Sequence, residues 1–175
     1  MLIPAAHIIG QAADPDEGIA LLERALSLNP YSTDGWAVSG IAHAHEGDIA
    51  TALSHLERST RSNPLHQQVP TQGFGFVVAD IMAGRYEQAL AWSERASRDT
   101  LANYTNLRTR AALLGLLGRS DEARLVLAQL LTMVPSLTVS RVRHQIEVVQ
   151  RIAPFKKTEF HRVVYEGLRM AGLPG

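Results

Sequence analysis

Residues 84–96 read GRYEQALAWSERA, and residues 118–130 read GRSDEARLVLAQL. Both open with Gly-Arg, both place Ala sixth, and they lie 34 residues apart. A fixed period of this size marks a repeat architecture, in which each unit is too small to bury its own apolar face and stacks on the next. In each echo a glycine stands where one helix must end, and apolar residues then recur at helical spacing. No strand-like alternation of useful length occurs anywhere in the chain. The echo therefore predicts the turn and second helix of a repeated helix pair.

The period and residue types match the tetratricopeptide repeat. That pattern asks for a large residue at position 4, small at 8, Ala at 20, large at 24, small at 27 and Pro at 32. Residues 33–66 supply Trp36, Gly40, Ala52, Leu56, Ser59 and Pro64. Shifting back one period gives Gly18, Leu22, Ala25 and Pro30; residues 104–137 give Leu107, Ala111, Ala123, Leu127 and Pro135, with Leu130 breaking the small-residue rule. The unit 70–103 keeps Gly84, Tyr86, Ala89 and Ala96 but departs at Ser93, at Leu101 and in an insertion near LHQQVP. Small residues let paired helices approach, large ones fill the gap to the next pair, and proline stops the second helix.

The expected fold is thus all-α: a right-handed α-solenoid of antiparallel helix pairs, about four repeats plus two C-terminal helices. The pairs are 1–32, 33–66, 70–103 and 104–137, with 138–175 as capping helices of the same domain. Helices are predicted near 2–12, 16–28, 33–46, 49–62, 71–83, 86–98, 103–117, 120–133, 138–151 and 156–171. Gly47, Gly84 and Gly118 should close the first helix of each pair. Thr138 should cap the ninth helix of this series, and Gly172 with Pro174 should stop the last. Residues 63–70 read as an ordered joint.

Composition narrows the function classes. Apolar residues make up 46% of 175 positions, enough for a core. Zero formal net charge argues against bulk attraction to nucleic acid or an anionic membrane. There is no cysteine, hence no disulfide framework, which fits a reducing compartment. No run reaches the roughly 20 apolar residues of a membrane span, and the start lacks the basic region of a signal peptide. The expectation is a soluble, cytoplasmic protein. The charge is uneven: residues 1–136 carry 10 Lys/Arg and 14 Asp/Glu, net −4, and residues 137–175 carry 7 and 3, net +4. The C-terminal excess reads as a solvated basic face, or as a docking surface for an acidic partner through Arg141, Arg143 and Arg151.

The run GRYEQALAWSERA, the run LLGRSDEARLVLAQLLTMVPSLTVSRVR and the close GLRMAGLPG resemble the C-terminal tetratricopeptide region of bacterial class III adenylate/guanylate cyclases. The resemblance covers about residues 14–175 and implies a regulatory or interaction module in signalling, such as a fragment of a longer chain. The family's catalytic domain, with its metal-binding aspartates, has no counterpart here, so cyclase activity does not carry over.

Catalytic and metal motifs are scarce. His43, His45 and His55 cluster in sequence, but His43 and His45 cannot share a helix face. His144 and His161 lie on the two tail helices, where they could meet. GFGF at 73–76 lacks the GK[ST] ending of a phosphate loop and reads as close helix packing. No catalytic residue, metal site or cofactor is expected.

Function in this architecture lies on the concave face. Its predicted lining is Ile41, Phe74, Val78, Met82 and Arg108, an apolar groove with one guanidinium. Phe160, Val163, Val164 and Leu168 form one stripe of the last helix. That stripe caps the final repeat, folds back into the groove in competition with a partner helix, or forms a homodimer contact. The expectation is a non-catalytic scaffold for a protein or peptide. The alternative is a small-ligand sensor holding an apolar or acidic metabolite in the groove near Arg108.

Overall fold

The computed structural model of the chain describes residues 14–62, 70–95, 100–152 and 158–175. Among these, the backbone forms nine helices and no strand. They are α1 (Pro15–Leu28), α2 (Thr33–Glu46), α3 (Ile49–Ser62), α4 (Pro70–Met82), α5 (Tyr86–Arg95), α6 (Thr100–Leu116), α7 (Ser120–Met133), α8 (Val139–Ile152) and α9 (Glu159–Met170). The helix expected over 2–12 lies outside the described residues, as does the joint at 63–69.

Local chemistry sets the ends. Asp14 accepts a hydrogen bond from the Asp16 N–H, and Pro15 takes the first position of α1, where a missing N–H costs nothing. Ser32 Oγ accepts from the Gly35 N–H at 3.1 Å, and Thr138 Oγ1 accepts from the Arg141 N–H at 3.1 Å, capping α2 and α8. The turns α2–α3, α4–α5 and α6–α7 use Gly47, Gly84 and Gly118 at φ 83°, 72° and 72°. A side chain there would be strained, which is why Gly opens both echoes in the sequence.

Packing is between neighbours for most of the chain. α2 lies against α3, α4 against α5 and α6 against α7; α2 also lies against α4, and α5 against α6. Gly75, in the GFGF run, lets α4 close on its neighbours: a Cβ there would sit 2.3 Å from Leu56 of α3 and 3.3 Å from Ile41 of α2. Its flanking rings diverge, Phe76 stacking on Trp92 of α5 at 4.3 Å and Phe74 meeting Phe160 of α9. Leu56, Ala52, Ala111, Ala123 and Leu130 are completely enclosed. Ser93, where the repeat pattern wants a large residue, is also enclosed: its Oγ donates to Asn106 Oδ1 at 2.8 Å, and its carbonyl accepts from Asn106 Nδ2 at 2.8 Å. A paired polar contact there replaces an apolar one between α5 and α6.

The tail departs from neighbour-on-neighbour order. α9 forms one of the most extensive helix interfaces in the molecule with α6, and it also touches α4. α4 and α6 make no comparable interface with each other. Among the described residues, no helix is long and apolar enough to cross a membrane.

Candidate functional site

The face built by α2, α4 and α6 is the natural place to look, because α9 lies on it. α9 is strongly amphipathic, with Phe160, Val163, Val164, Gly167, Leu168 and Ala171 inward and Arg162, Glu166 and Arg169 outward or partly outward. Its two ends meet the body differently. Toward the C-terminus, Gly167 faces Ala112 and Gly115 of α6 so closely that a Cβ on Gly167 would fall 2.2 Å from the Ala112 carbonyl oxygen. A Cβ on Gly115 would fall 2.2 Å from the Gly167 carbonyl oxygen. Beyond the helix, the Val139 N–H donates to the Pro174 carbonyl at 2.8 Å and fastens the chain end to α8.

Toward the N-terminus the contacts are rings. Phe160 is perpendicular to Phe74 of α4 at 5.9 Å and to His45 of α2 at 5.6 Å. His161 lies 6.0 Å from His45, centroid to centroid. Arg108 of α6 is close enough to disfavour a charge on His161, and its guanidinium sits 5.5 Å over the Tyr104 ring. Burial, then the His161 ring, pushes the His45 pKa down to about 3. Burial and Arg108 lower that of His161. Burial also lowers the pKa of Arg108, opposed by Tyr104. The Nδ1 of His161 and the Nε of Arg108 are buried without a hydrogen-bond partner.

Of the expected groove residues, Phe74 and Arg108 meet α9, at Phe160 and His161. Val78 is completely enclosed, while Ile41, Phe74, Met82 and Arg108 are half-buried, with Phe74 and Met82 against the main core. Phe160, Val163, Val164 and Leu168 are all buried. The expected basic face holds Arg141 and Arg143, both exposed. Arg141 donates to Ser136 Oγ at 2.6 Å, and Arg143 lies 5.4 Å over the Tyr165 ring. The Arg151 side chain lies outside the described residues. His161 meets His45, and His144 is exposed on α8. Sequence reasoning took His45 only as a candidate ligand and missed Tyr104, Gly115 and Gly167 as contact positions. Small residues at 112, 115 and 167 were the available signal.

A second polar cluster lies between α1, α2 and α3. His55 Nδ1 is 3.0 Å from Ser39 Oγ, and its ring meets those of His43 at 5.1 Å and Trp36 at 4.8 Å. Burial and then His43 lower the His55 pKa. Arg58 covers Trp36 at 4.0 Å, beside a shallow cleft of about 330 Å³ lined by Glu23, Pro30 and His55. The Ser39–His55 pair has the elements of a nucleophile and base, but Ser39 is completely enclosed, so no substrate carbonyl reaches its hydroxyl. Among the described residues, no group of three or more His, Asp or Glu side chains is arranged to hold a metal ion.

Comparison with models of known protein families finds none that matches the chain, and comparison with curated proteins also finds no match.

Proposed function

We propose that the chain is a non-catalytic, tetratricopeptide-type solenoid of antiparallel helix pairs that binds a protein partner, in the cytoplasm, through the face carrying α9. The observation that carries this reading is α9 itself: an amphipathic helix lying across α4 and α6 with its first turn on α2. It occupies the face as a bound helix occupies a groove, through anchors at i, i+3, i+4 and i+8: Phe160, Val163, Val164 and Leu168. A partner helix with the same spacing then takes the position of α9. The sequence resemblance to cyclase repeat regions supports a regulatory role in nucleotide signalling.

The reading is tested by placing a protease site between 152 and 158 of the full chain, cleaving it, and adding a labelled 158–175 peptide. Exchange of the label into the cleaved protein at neutral pH is expected. A resident segment that never leaves the folded body makes this face core and ends the reading.

One observation favours a second reading, a sensor for an acidic metabolite. The Arg108 Nε and His161 Nδ1 are buried donors or acceptors with nothing to bond, and such atoms are costly to leave unpaired. A thermal-shift screen of organic acids against the native protein and Arg108→Gln tests it. A rise confined to the native protein supports the sensor.

A further inference from the structure

The ring cluster under the first turn of α9 combines features that do not suit a permanent core. It brings two histidines and an arginine from three helices to one buried spot. Among the described residues, the groups facing the two imidazoles include His45 from α2, Arg108 with Tyr104 from α6, and His161 from α9. α4 contributes Phe74, which does not titrate. From α8, Arg143 lies over Tyr165, one turn further along α9. Glu46 follows His45 on α2; the influences that move the His45 pKa are burial and then His161, and both lower it. On His161 they are burial and then Arg108, again both lowering. A proton arriving here meets positive neighbours and poor solvation, and its charge is best relieved by separation of the helices.

The opposite end of α9 has no such sensitivity. Gly115, Gly167, Ala112 and Ala171 make its contact with α6, and the Pro174 carbonyl is bonded to α8. None of these groups titrates between pH 4 and 8.

We propose that protonation of His45 and His161 lifts the N-terminal end of α9 from α2 and α4 while its C-terminal end stays on α6, so that acidification opens the face over Phe74. The α9-bearing face as binding face is taken from the proposed function; the release itself needs no partner. One ring that regains its ordinary pKa of 6.5 on release shifts the opening equilibrium about thirtyfold between pH 7.5 and 5.0. The second ring adds in the same direction.

The experiment is residue-resolved amide exchange by NMR on the full chain at pH 7.5 and 5.0, corrected for intrinsic exchange rates. Protection at residues 160–165 is expected to fall tenfold or more at pH 5.0, with residues 168–173 and Leu90 of α5 unchanged. Equal loss throughout α9 and α5 would mean global acid unfolding, and no loss at 160–165 would mean no latch; either overturns the proposal. His45→Phe combined with His161→Phe keeps two rings without their charge and should abolish the pH dependence. Should that variant fail to fold, Arg108→Gln keeps both rings and should weaken the pH dependence by removing a repelling charge. An unchanged profile in Arg108→Gln counts against the proposal. Failure of the latch leaves neutral-pH peptide exchange untouched, so the two ideas fail separately.

Discussion

At its C-terminal end α9 meets α6 backbone to backbone, with Gly167 against Ala112 and Gly115. At its N-terminal end the same helix meets α2 and α4 through rings: Phe160 and His161 against His45 and Phe74. The first contact is held by the absence of side-chain atoms and tolerates no addition. The second is held by bulky side chains and is weakened by removal or by charge. One short helix therefore carries a seam indifferent to solution conditions and a seam that responds to them.

The largest effect should come from adding atoms to the glycine seam. In Gly167→Val the new Cβ falls 2.2 Å from a backbone oxygen, which cannot move aside as a side-chain tip can. Overpacking commonly costs about 1–3 kcal/mol, and here relief requires prising α9 from α6, so a loss above about 3 kcal/mol is expected in urea unfolding. Gly75→Ala is the control: its nearest contact is Leu56 Cδ2, part of a side chain that can shift, and its cost should be smaller. Equal losses at the two sites would undo the distinction between backbone-limited and side-chain-limited contacts.

Removing atoms from the ring seam comes next. Phe160 is 4% exposed, and Phe160→Ala should cost about 3 kcal/mol, at the lower end for buried phenylalanine because this end of α9 has room to settle. Replacing Phe160 and Val164 together by Asp should cost more, since each carboxylate would be buried without a partner. Unchanged thermal stability in the double variant would mean that the stripe is not held against the body at all.

Much of this was legible in the sequence. The bounds of α2, α3 and α7 follow from the 34-residue period, because Gly47 and Gly118 stop one helix where the next must turn back. Thr138 as a cap and Gly172 as a stop were readable for the same local reasons. The position of α9 was not. Its stripe of Phe160, Val163, Val164 and Leu168 specifies that the helix is buried, but an apolar stripe does not say against what. The address lies in a match of small residues: Ala112 and Gly115 on α6 against Gly167 on α9. Such a match is visible only once both backbones are placed. Ser93 illustrates the same limit. It looked like a flaw in the repeat until Asn106 supplied its partner from the next helix.

Acid should act on the ring seam and not on the glycine seam. His45 is neutral in the folded protein, with its pKa pushed down to about 3 from an ordinary 6.5. Between those values the unfolded chain binds a proton that the folded chain does not. Stability is therefore full above pH 6.5 and falls as the pH drops toward 3. His45 alone should remove about 2 kcal/mol between pH 7.5 and 5.0. His161 and His55, whose pKa values are also lowered, act in the same sense. Urea unfolding at the two pH values measures the loss, and His45→Phe should reduce it. A pH-independent midpoint in the native protein would remove the chemical difference between the two ends of α9.

The smallest effect belongs to the outer surface of the same helix, which faces neither seam. Arg162 Nη1 lies 3.1 Å from Glu166 Oε2, one turn apart, with both side chains about half exposed. Such a pair gains little, because water already solvates both charges and ordering two long side chains costs entropy. The order Arg before Glu is also the weaker one along the helix dipole. Glu166→Gln should therefore change stability by less than about 0.5 kcal/mol and leave the pH dependence of unfolding as it was. A larger change, or a shifted pH profile, would mean that Glu166 acts on the buried imidazoles. The ring seam would then hold a counter-charge, and protonation would no longer have reason to part α9 from α2 and α4.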